Sequence, residues 1–354
     1  MGGIPNGETI LIRQDSLAAS VRSLGVAVPK ERAEEVRKAL QAAGHLRTGV
    51  PIERDGDTVF IPVQGNVSEP YPIVEREFRD ARAPIRSYHD VADVPPNLKP
   101  LLPRSFDVVG DIALIKVPDG LTPFETEIAA AILRANSAVK VVAVDEGVKG
   151  EHRVRRLRVV AGPKRTETIH REYGLSFKVD VARAYFSPRL GTERMRVAAQ
   201  VEPGEAVADL FAGVGPYAIL IATHRRPRIV YAFDANPDAF RHLEENVRRN
   251  RAVQVEPRLG DAGTLLATIE PPDRVIVDYP QDPDPAYRAA LSRVLPNGTI
   301  HYYAILDATQ CALRKEDLVA TARSFDRGAA IASVSEVHGW SPTKKLYAFD
   351  VRVT

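Results

Sequence analysis

Asp209-Leu-Phe-Ala-Gly-Val-Gly-Pro216 decides the fold. Val207 and Ala208 end an apolar run that reads as a buried strand, Asp209 closes it, and two glycines allow a tight turn into the apolar helix start at residues 217–223. A strand that stops at a carboxylate and passes through glycines into a helix is how an α/β sheet presents a nucleotide-like ligand. The same turn also serves purely structural ends, so its neighbours carry the decision.

Val230-Tyr-Ala-Phe-Asp234 is a second short apolar run ending in an acid, about 20 residues after the glycines, where a ribose-binding carboxylate belongs. A helix over residues 237–250 leads to Val255-Glu-Pro-Arg-Leu-Gly-Asp261, whose last acid is suited to accept from an adenine amino group. Arg274-Val-Ile-Val-Asp-Tyr-Pro280 is a fourth strand, again ending in an acid. Enzymes that methylate exocyclic amines on such a sheet end this strand in Asp/Asn-Pro-Pro-aromatic. Here Tyr279 and Gln281 break that pattern, which favours a ring-nitrogen acceptor over an amine. The expected fold is therefore α/β, a doubly wound Rossmann-like methyltransferase sheet, with S-adenosylmethionine as cofactor. Asp209, Phe211, Gly213, Gly215, Asp234 and Asp261 form the expected cofactor site.

Two smaller α+β domains are expected before that sheet. Residues 24–29 read as a strand, 30–43 as a helix with Ala33, Val36 and Leu40 on one side, and 51–63 as a hairpin around Asp55-Gly56. Residues 65–72 read as a polar linker. Four prolines within residues 88–104 rule out a long helix there, and a strand at 110–117, a helix at 124–136 and strands at 140–144, 153–161 and 166–170 follow. The expected boundaries are 1–66, 67–174 and 175–354, with a tail strand at 346–353.

The chain has 354 residues, is 44% hydrophobic and 27% charged, and carries a net charge of +2, the balance of a globular protein with two or three domains. No stretch is apolar enough to span a bilayer, and Met1-Gly-Gly-Ile-Pro-Asn-Gly lacks the basic-then-apolar layout of a secretory leader. Cys311 is the sole cysteine, so an intrachain disulfide and a cysteine-built metal cage are both excluded, and no metal is expected. These features predict a cytoplasmic protein; a monomer is favoured. Few cysteines and methionines with many prolines and arginines also suit a thermophile. The basic charge is concentrated: residues 145–196 hold 13 Lys/Arg against 7 Asp/Glu, a local +6, leaving the rest at −4. That stretch is either a solvated face or a phosphate-binding surface.

One segment within it tips the balance. Phe177-Lys-Val-Asp-Val-Ala-Arg-Ala-Tyr-Phe-Ser-Pro-Arg-Leu-Gly-Thr-Glu-Arg194 resembles the archaeal and eukaryotic type of tRNA (guanine-N1)-methyltransferase acting at position 37. The resemblance extends to the N-terminal module, Leu102-Pro-Arg-Ser-Phe-Asp-Val-Val-Gly-Asp-Ile-Ala113, Gly150-Glu-His-Arg-Val-Arg-Arg-Leu157, Arg165-Thr-Glu-Thr-Ile-His-Arg-Glu172, the glycine turn and Ile300-His-Tyr-Tyr303. It implies a first domain that contacts the tRNA elbow, a catalytic pair of domains at the anticodon stem-loop, and S-adenosylmethionine as methyl donor. It also implies Glu193 as general base, Arg153 at guanine O6, Tyr185 packed on the extruded base, and Asp278 and Pro280 at the guanine edge. Arg189 joins the substrate contacts. Guanine N1 carries a proton and a delocalised lone pair, so methylation there needs a base and a cation for the charge that moves to O6.

Read without the resemblance, each of these residues has an ordinary role: Glu193 as a helix-start acid paired with Arg196, Arg153 as one strand charge among several, Tyr185 as core. The chain also departs from the family, which has Asn-Leu-Pro where Asp278-Tyr279-Pro280 stands. An ionised Asp accepts but cannot donate, and a second carboxylate can share the base role or raise its neighbour's pKa. Two other functions stay open: a wyosine-pathway transferase using the same cofactor, and a non-catalytic tRNA-binding paralogue.

Overall fold

The computed structural model describes residues 20–65, 67–68, 70–79, 87–150 and 154–354. They fall into two compact units that divide at residues 86 and 87. In the first, β1 (Ser20–Pro29) and α1 (Ala33–Ala42) are followed by β2 (Glu53–Asp55), β3 (Thr58–Val63) and β4 (Ile73–Arg79). The sheet order is β2-β3-β1-β4, with β1 antiparallel to both neighbours. Val36 and Leu40 of α1 pack on Val26, Val28, Val59, Ile61 and Val63, so the helix buries the face its spacing indicated. The strand β4 lies beyond the expected boundary at residue 66. The polar segment before it connects strands of one sheet, because Leu24 and Val26 pair with Glu75 and Ile73.

The second unit begins with β5 (Asp107–Val109), β6 (Ile112–Ile115), α2 (Glu125–Ala135), β7 (Val141–Lys149) and β8 (Val154–Ala161). They form a sheet in the order β5-β6-β7-β8, covered by α2 through Ile128, Ala129 and Ile132. A hairpin of β9 (Glu167–Glu172) and β10 (Leu175–Asp180) follows. Then come α3 (Gly191–Ala199), β11 (Ala206–Asp209), α4 (Pro216–Arg225), β12 (Ile229–Asp234), α5 (Pro237–Asn250), β13 (Val255–Leu259), α6 (Ala262–Leu266) and β14 (Arg274–Val277). The chain closes with α7 (Asp284–Arg293), β15 (Thr299–Leu306), α8 (Ala308–Arg323), β16 (Ala329–Gly339) and β17 (Lys345–Val353).

The large sheet runs β13-β12-β11-β14-β15-β17-β16, parallel from β13 to β15 and antiparallel at the last two strands. This is the doubly wound α/β sheet expected, with the order reversing between β11 and β14, where such sheets open a ligand crevice. All four residues of β11 and of β14 are buried, as strands covered by helices on both faces must be.

The expected boundary at residue 174 falls in the turn between the paired strands β9 and β10, and it does not separate cores. Val109, Ile112, Leu114, Val141 and Ala143 of the small sheet pack in one cluster with Phe177, Val197, Val207 and Tyr217. The hairpin is pinned to α5 by two amides: Asn250 bonds both backbone groups of Ser176, and Asn246 bonds both of Lys178. Asn246, fully buried, also donates to the carbonyl of Val214, so one side chain ties the hairpin to the glycine turn.

Candidate active site

Gly213 (φ 57°) and Gly215 (φ 91°) both adopt the left-handed conformation that a side chain disfavours. At Gly215 a Cβ would also stand 2.5 Å from Leu243 Cδ1 and 2.9 Å from Ile219 Cδ1, so this glycine is required by packing as well as by the turn. Pro216 then opens α4, where a missing N–H costs nothing. The turn borders a cleft of about 360 Å³ at the carboxyl ends of the parallel strands.

Phe211, Gly213, Asp234 and Asp261 line the cleft, together with Tyr185, Arg194, Asp278, Tyr279, Pro280 and Trp340. Asp234 accepts from the N–H of Gly213 at 2.7 Å and from that of Asn236 at 2.8 Å, one bond to each oxygen. The carboxylate stands on the cleft wall at the end of β12, and its two oxygens, each an acceptor of more than one hydrogen bond, suit the vicinal hydroxyls of a ribose. Asp261 caps α6 by accepting from the N–H of Thr264 at 2.8 Å and its hydroxyl at 2.9 Å, bonds that hold its pKa below the usual value.

Asp209 lies behind this wall. It is fully buried and neither carboxylate oxygen makes a hydrogen bond. Burial pushes its pKa up to about 8, the negative charge of Asp278 adds to the rise, and the amides of Phe211 and Ala218 offset it only partly. A buried carboxylate without a partner beside a cleft walled by three further acids calls for a cation. S-adenosylmethionine fits that demand, since it carries an ammonium and a sulfonium beside its ribose and adenine.

The substrate side is built by β14 and the segment before α3. Asp278 is half-buried on the cleft wall, and its pKa is raised to about 6 by burial; the Arg194 guanidinium pulls it down and the Glu193 charge pushes it up. Arg194 is almost fully buried. It bonds both oxygens of Glu172 at 3.0 and 2.8 Å and the carbonyl of Ser187 at 2.7 Å, but its Nε–H makes no hydrogen bond. The platform missing after Pro280 is supplied within the turn itself: Tyr279 stacks on Phe211 with centroids 5.0 Å apart. Tyr185, 41% exposed, stands on the same wall with the Arg155 guanidinium 5.9 Å from its ring centroid.

Glu193 takes the helix-start position paired with Arg196 that the residues alone suggest. It is buried in the first turn of α3 and is not part of the cleft lining. Its Oε1 accepts from Tyr303 at 2.6 Å and from Arg196 at 2.8 Å, and its Oε2 from Arg196 at 2.7 Å. From there a buried chain continues through Arg196 to Asp350 (2.6 Å), His301 (2.6 Å), Arg274 (2.9 Å) and Glu205 (2.9 Å). Burial would raise the Asp350 carboxyl, but its bonds from His301, Arg196 and Ser333 outweigh burial and hold it well below the usual range. Tyr303 also receives the phenol of Tyr217 at 3.1 Å, and Tyr217 lines the cleft, so Glu193 reaches the cleft wall through two tyrosines.

Arg189 is likewise not in the lining. Its Nε donates to Asp107 at 2.6 Å, and Arg155 approaches the same carboxylate at 3.6 Å, which braces β5 against the segment before α3. Arg153 lies outside the described residues. Much of the basic stretch is paired: Arg158 with Glu125 and Glu146, Arg165 with Asp111, Lys178 with Glu245. Trp340, Arg194 and Tyr217 were not singled out as site residues by sequence reasoning. Arg194 stands directly after Glu193 in the quoted segment, but nothing in that pattern separates a cleft-lining arginine from a solvated one.

A doubly wound sheet with acids at its strand ends, a glycine turn into α4 and an Asp-Tyr-Pro turn on β14 defines a class I methyltransferase. Residues 168–327 match the TRM5/TYW2 methyltransferase domain, residues 91–166 the TYW2 N-terminal domain and residues 25–71 the tRNA methyltransferase 5 N-terminal domain. The chain is 36% identical over 334 residues to the tRNA (guanine(37)-N(1))-methyltransferase Trm5b of Pyrococcus abyssi, covering 94% of this chain and 99% of that one. It is 35% identical over 251 residues to the tRNA 4-demethylwyosine(37)-methyltransferase Taw21 of Saccharolobus solfataricus, covering 70% and 94%. The crystal structure of Trm5b from Pyrococcus abyssi superposes with a TM-score of 0.74 at 37% identity, covering 94% and 99%. The complex of aTrm5 with tRNALeu gives 0.79 at 27% identity, covering 94% and 100%. The chain belongs to the TRM5/TYW2 methyltransferase family. No helix among the described residues is long and apolar enough to cross a membrane.

Proposed function

We infer that this protein transfers the methyl group of S-adenosylmethionine to N1 of guanosine 37 in tRNA. The observation that carries the reading is the cleft, where Asp234 at the end of β12 and Asp261 after β13 meet Asp278 and Pro280 in the turn after β14, at the sheet's crossover point. The likeness to the Pyrococcus abyssi Trm5b over nearly the full length of both chains supports the same acceptor. S-adenosylmethionine, when bound, supplies an electrophilic methyl on a sulfonium. Asp234 holds the ribose, Asp261 faces the adenine, and Asp209, protonated up to about pH 8 without a cation beside it, would ionise toward the cationic end.

The protein's own part is to seat the guanine and remove one proton. Tyr185 packs on the base, and the Pro280 carbonyl and Asp278 meet its edge. The family resemblance gives the N1 proton to Glu193, but the geometry favours Asp278. Asp278 is on the wall and titrates near pH 6, whereas both oxygens of Glu193 are occupied behind it. The Asp278 carboxylate takes the N1 proton and leaves its electron pair on N1, ready for the methyl that S-adenosylmethionine would supply as its C–S bond breaks and the neutral thioether leaves, and Arg194 supplies positive charge at that wall. Arg153 keeps the O6 contact that the resemblance implies.

The first unit is read as the part that contacts the tRNA elbow, and residues 87–354 as the part that works on the anticodon stem-loop. A tRNA substrate and a single buried cysteine suit the cytoplasm. A second reading, methylation of a tricyclic wyosine-type base, draws on the likeness to Taw21 and on Asp278-Tyr279 in place of Asn-Leu. Transcripts that differ only at position 37 separate the two. Transfer to G37 and none to A37 is expected, and transfer only to tRNA already bearing 4-demethylwyosine would favour the second reading.

A further inference from the structure

Trp340 is the sole tryptophan of the chain, is 43% exposed, and lines the cleft. It follows β16 in the turn that leads to β17. Its N–H donates to the carbonyl of Lys344 at 2.9 Å, as does that of Ser341, and the Ser341 hydroxyl accepts from the Lys344 N–H at 3.1 Å. The turn is therefore closed on itself and presents the indole from a fixed backbone. The His338 ring lies nearly parallel to it, at 22° and 6.4 Å.

Strand order shows what this indole can meet. The cofactor acids stand at or just past the ends of β11, β12 and β13, and Asp278 just past the end of β14; the Trp340 turn lies beyond β15, where Lys345 pairs with Leu306 at the carboxyl end of that strand. The turn is thus on the far side of the base-binding strand from the cofactor. Tyr185 belongs to the opposite side, its carbonyl 3.6 Å from where a Gly213 Cβ would be. A base swung into the cleft leaves its loop neighbours unstacked, and a half-exposed indole on the cleft lining is a surface that an unpaired nucleobase stacks on.

We propose that Trp340 is the stacking platform for an unpaired nucleobase of the tRNA loop next to the one that enters the cleft. This rests on the tRNA reading above, and the test separates the two. The sole tryptophan gives a direct signal. Adding a tRNA transcript quenches its fluorescence saturably and lowers its accessibility to acrylamide, and a transcript made abasic at position 37 does the same, while S-adenosylhomocysteine alone does not. Trp340→Ala raises KM for tRNA by roughly 5- to 100-fold, more than it lowers kcat, and Trp340→Phe recovers most of the loss.

Quenching that disappears with the abasic transcript would assign the platform to the target base, and quenching by S-adenosylhomocysteine alone would assign it to the cofactor; either overturns the proposal. Unchanged fluorescence in a preparation that methylates the same transcript would overturn it while leaving the activity intact. The fluorescence measurements use the unmodified protein, so they stand even if Trp340→Ala does not fold.

Discussion

Asp209→Asn isolates the electrostatics of the cofactor site in a single atom exchange. The Asp209 carboxyl titrates at about 8 in the fold against an ordinary 3.8, because burial with no hydrogen bond disfavours its charged form. The native state therefore binds the proton more tightly than the unfolded chain does. Stability from this group is fully present below about pH 4 and is lost as pH rises through about 8. At about 1.4 kcal/mol per pH unit between those limits, the loss from pH 5 to pH 8 is of the order of 4 kcal/mol. Asn cannot ionise, so its variant escapes this loss, although its own buried amide costs about 1–3 kcal/mol at every pH. The variant is expected to be no more stable than the wild type at pH 5 and clearly more stable at pH 8. Thermal melts of the cofactor-free protein over that range check it, at about 2 °C per kcal/mol for a unit of this size. S-adenosylmethionine should close the gap by raising the wild type more than the variant. Parallel pH profiles for the two proteins would refute the assignment of Asp209 as an unpaired buried carboxyl.

Three further outcomes are expected. Asp278→Asn lowers single-turnover methyl transfer by roughly 10²- to 10⁴-fold and removes the rise in rate through about pH 6 that ionisation of Asp278 gives the wild type, whereas Glu193→Gln leaves that rise in place; loss of transfer in Glu193→Gln with Asp278→Asn tolerated would return the base role to Glu193. Asp234→Ala weakens S-adenosylmethionine binding by roughly 10- to 100-fold in calorimetry with tRNA binding little changed, because two charge-assisted bonds to the ribose are lost. Affinity for tRNA falls steeply in a salt series while cofactor affinity stays nearly flat, as release of counterions from phosphates requires.

The cofactor half of the site was legible because its chemistry is local. A strand, an acid and a glycine turn are consecutive residues, and the strand order that gathers Asp209, Asp234, Asp261 and Asp278 follows from the alternating pattern. The β-α-β-β module was legible for the same reason, except at β4, whose pairing with β1 is a long-range contact that no local signal marks. The substrate half was harder. The helix-start pairing of Glu193 with Arg196 was legible from their spacing, but not its bond from Tyr303, nor that Arg189 would bond Asp107 while Arg194 lines the cleft wall. Partners 82 and 110 residues away decide those outcomes. Trp340 was missed because the strand before it, β16, alternates weakly and has no fully buried residue.

The most direct test of the central claim is mass spectrometry of tRNA incubated with the protein and methyl-labelled S-adenosylmethionine, digested to nucleosides and mapped by fragment. One labelled methyl on guanosine, at N1 and at position 37, is the predicted product. Label on another position or nucleoside, or an aminocarboxypropyl group in place of methyl, would contradict it.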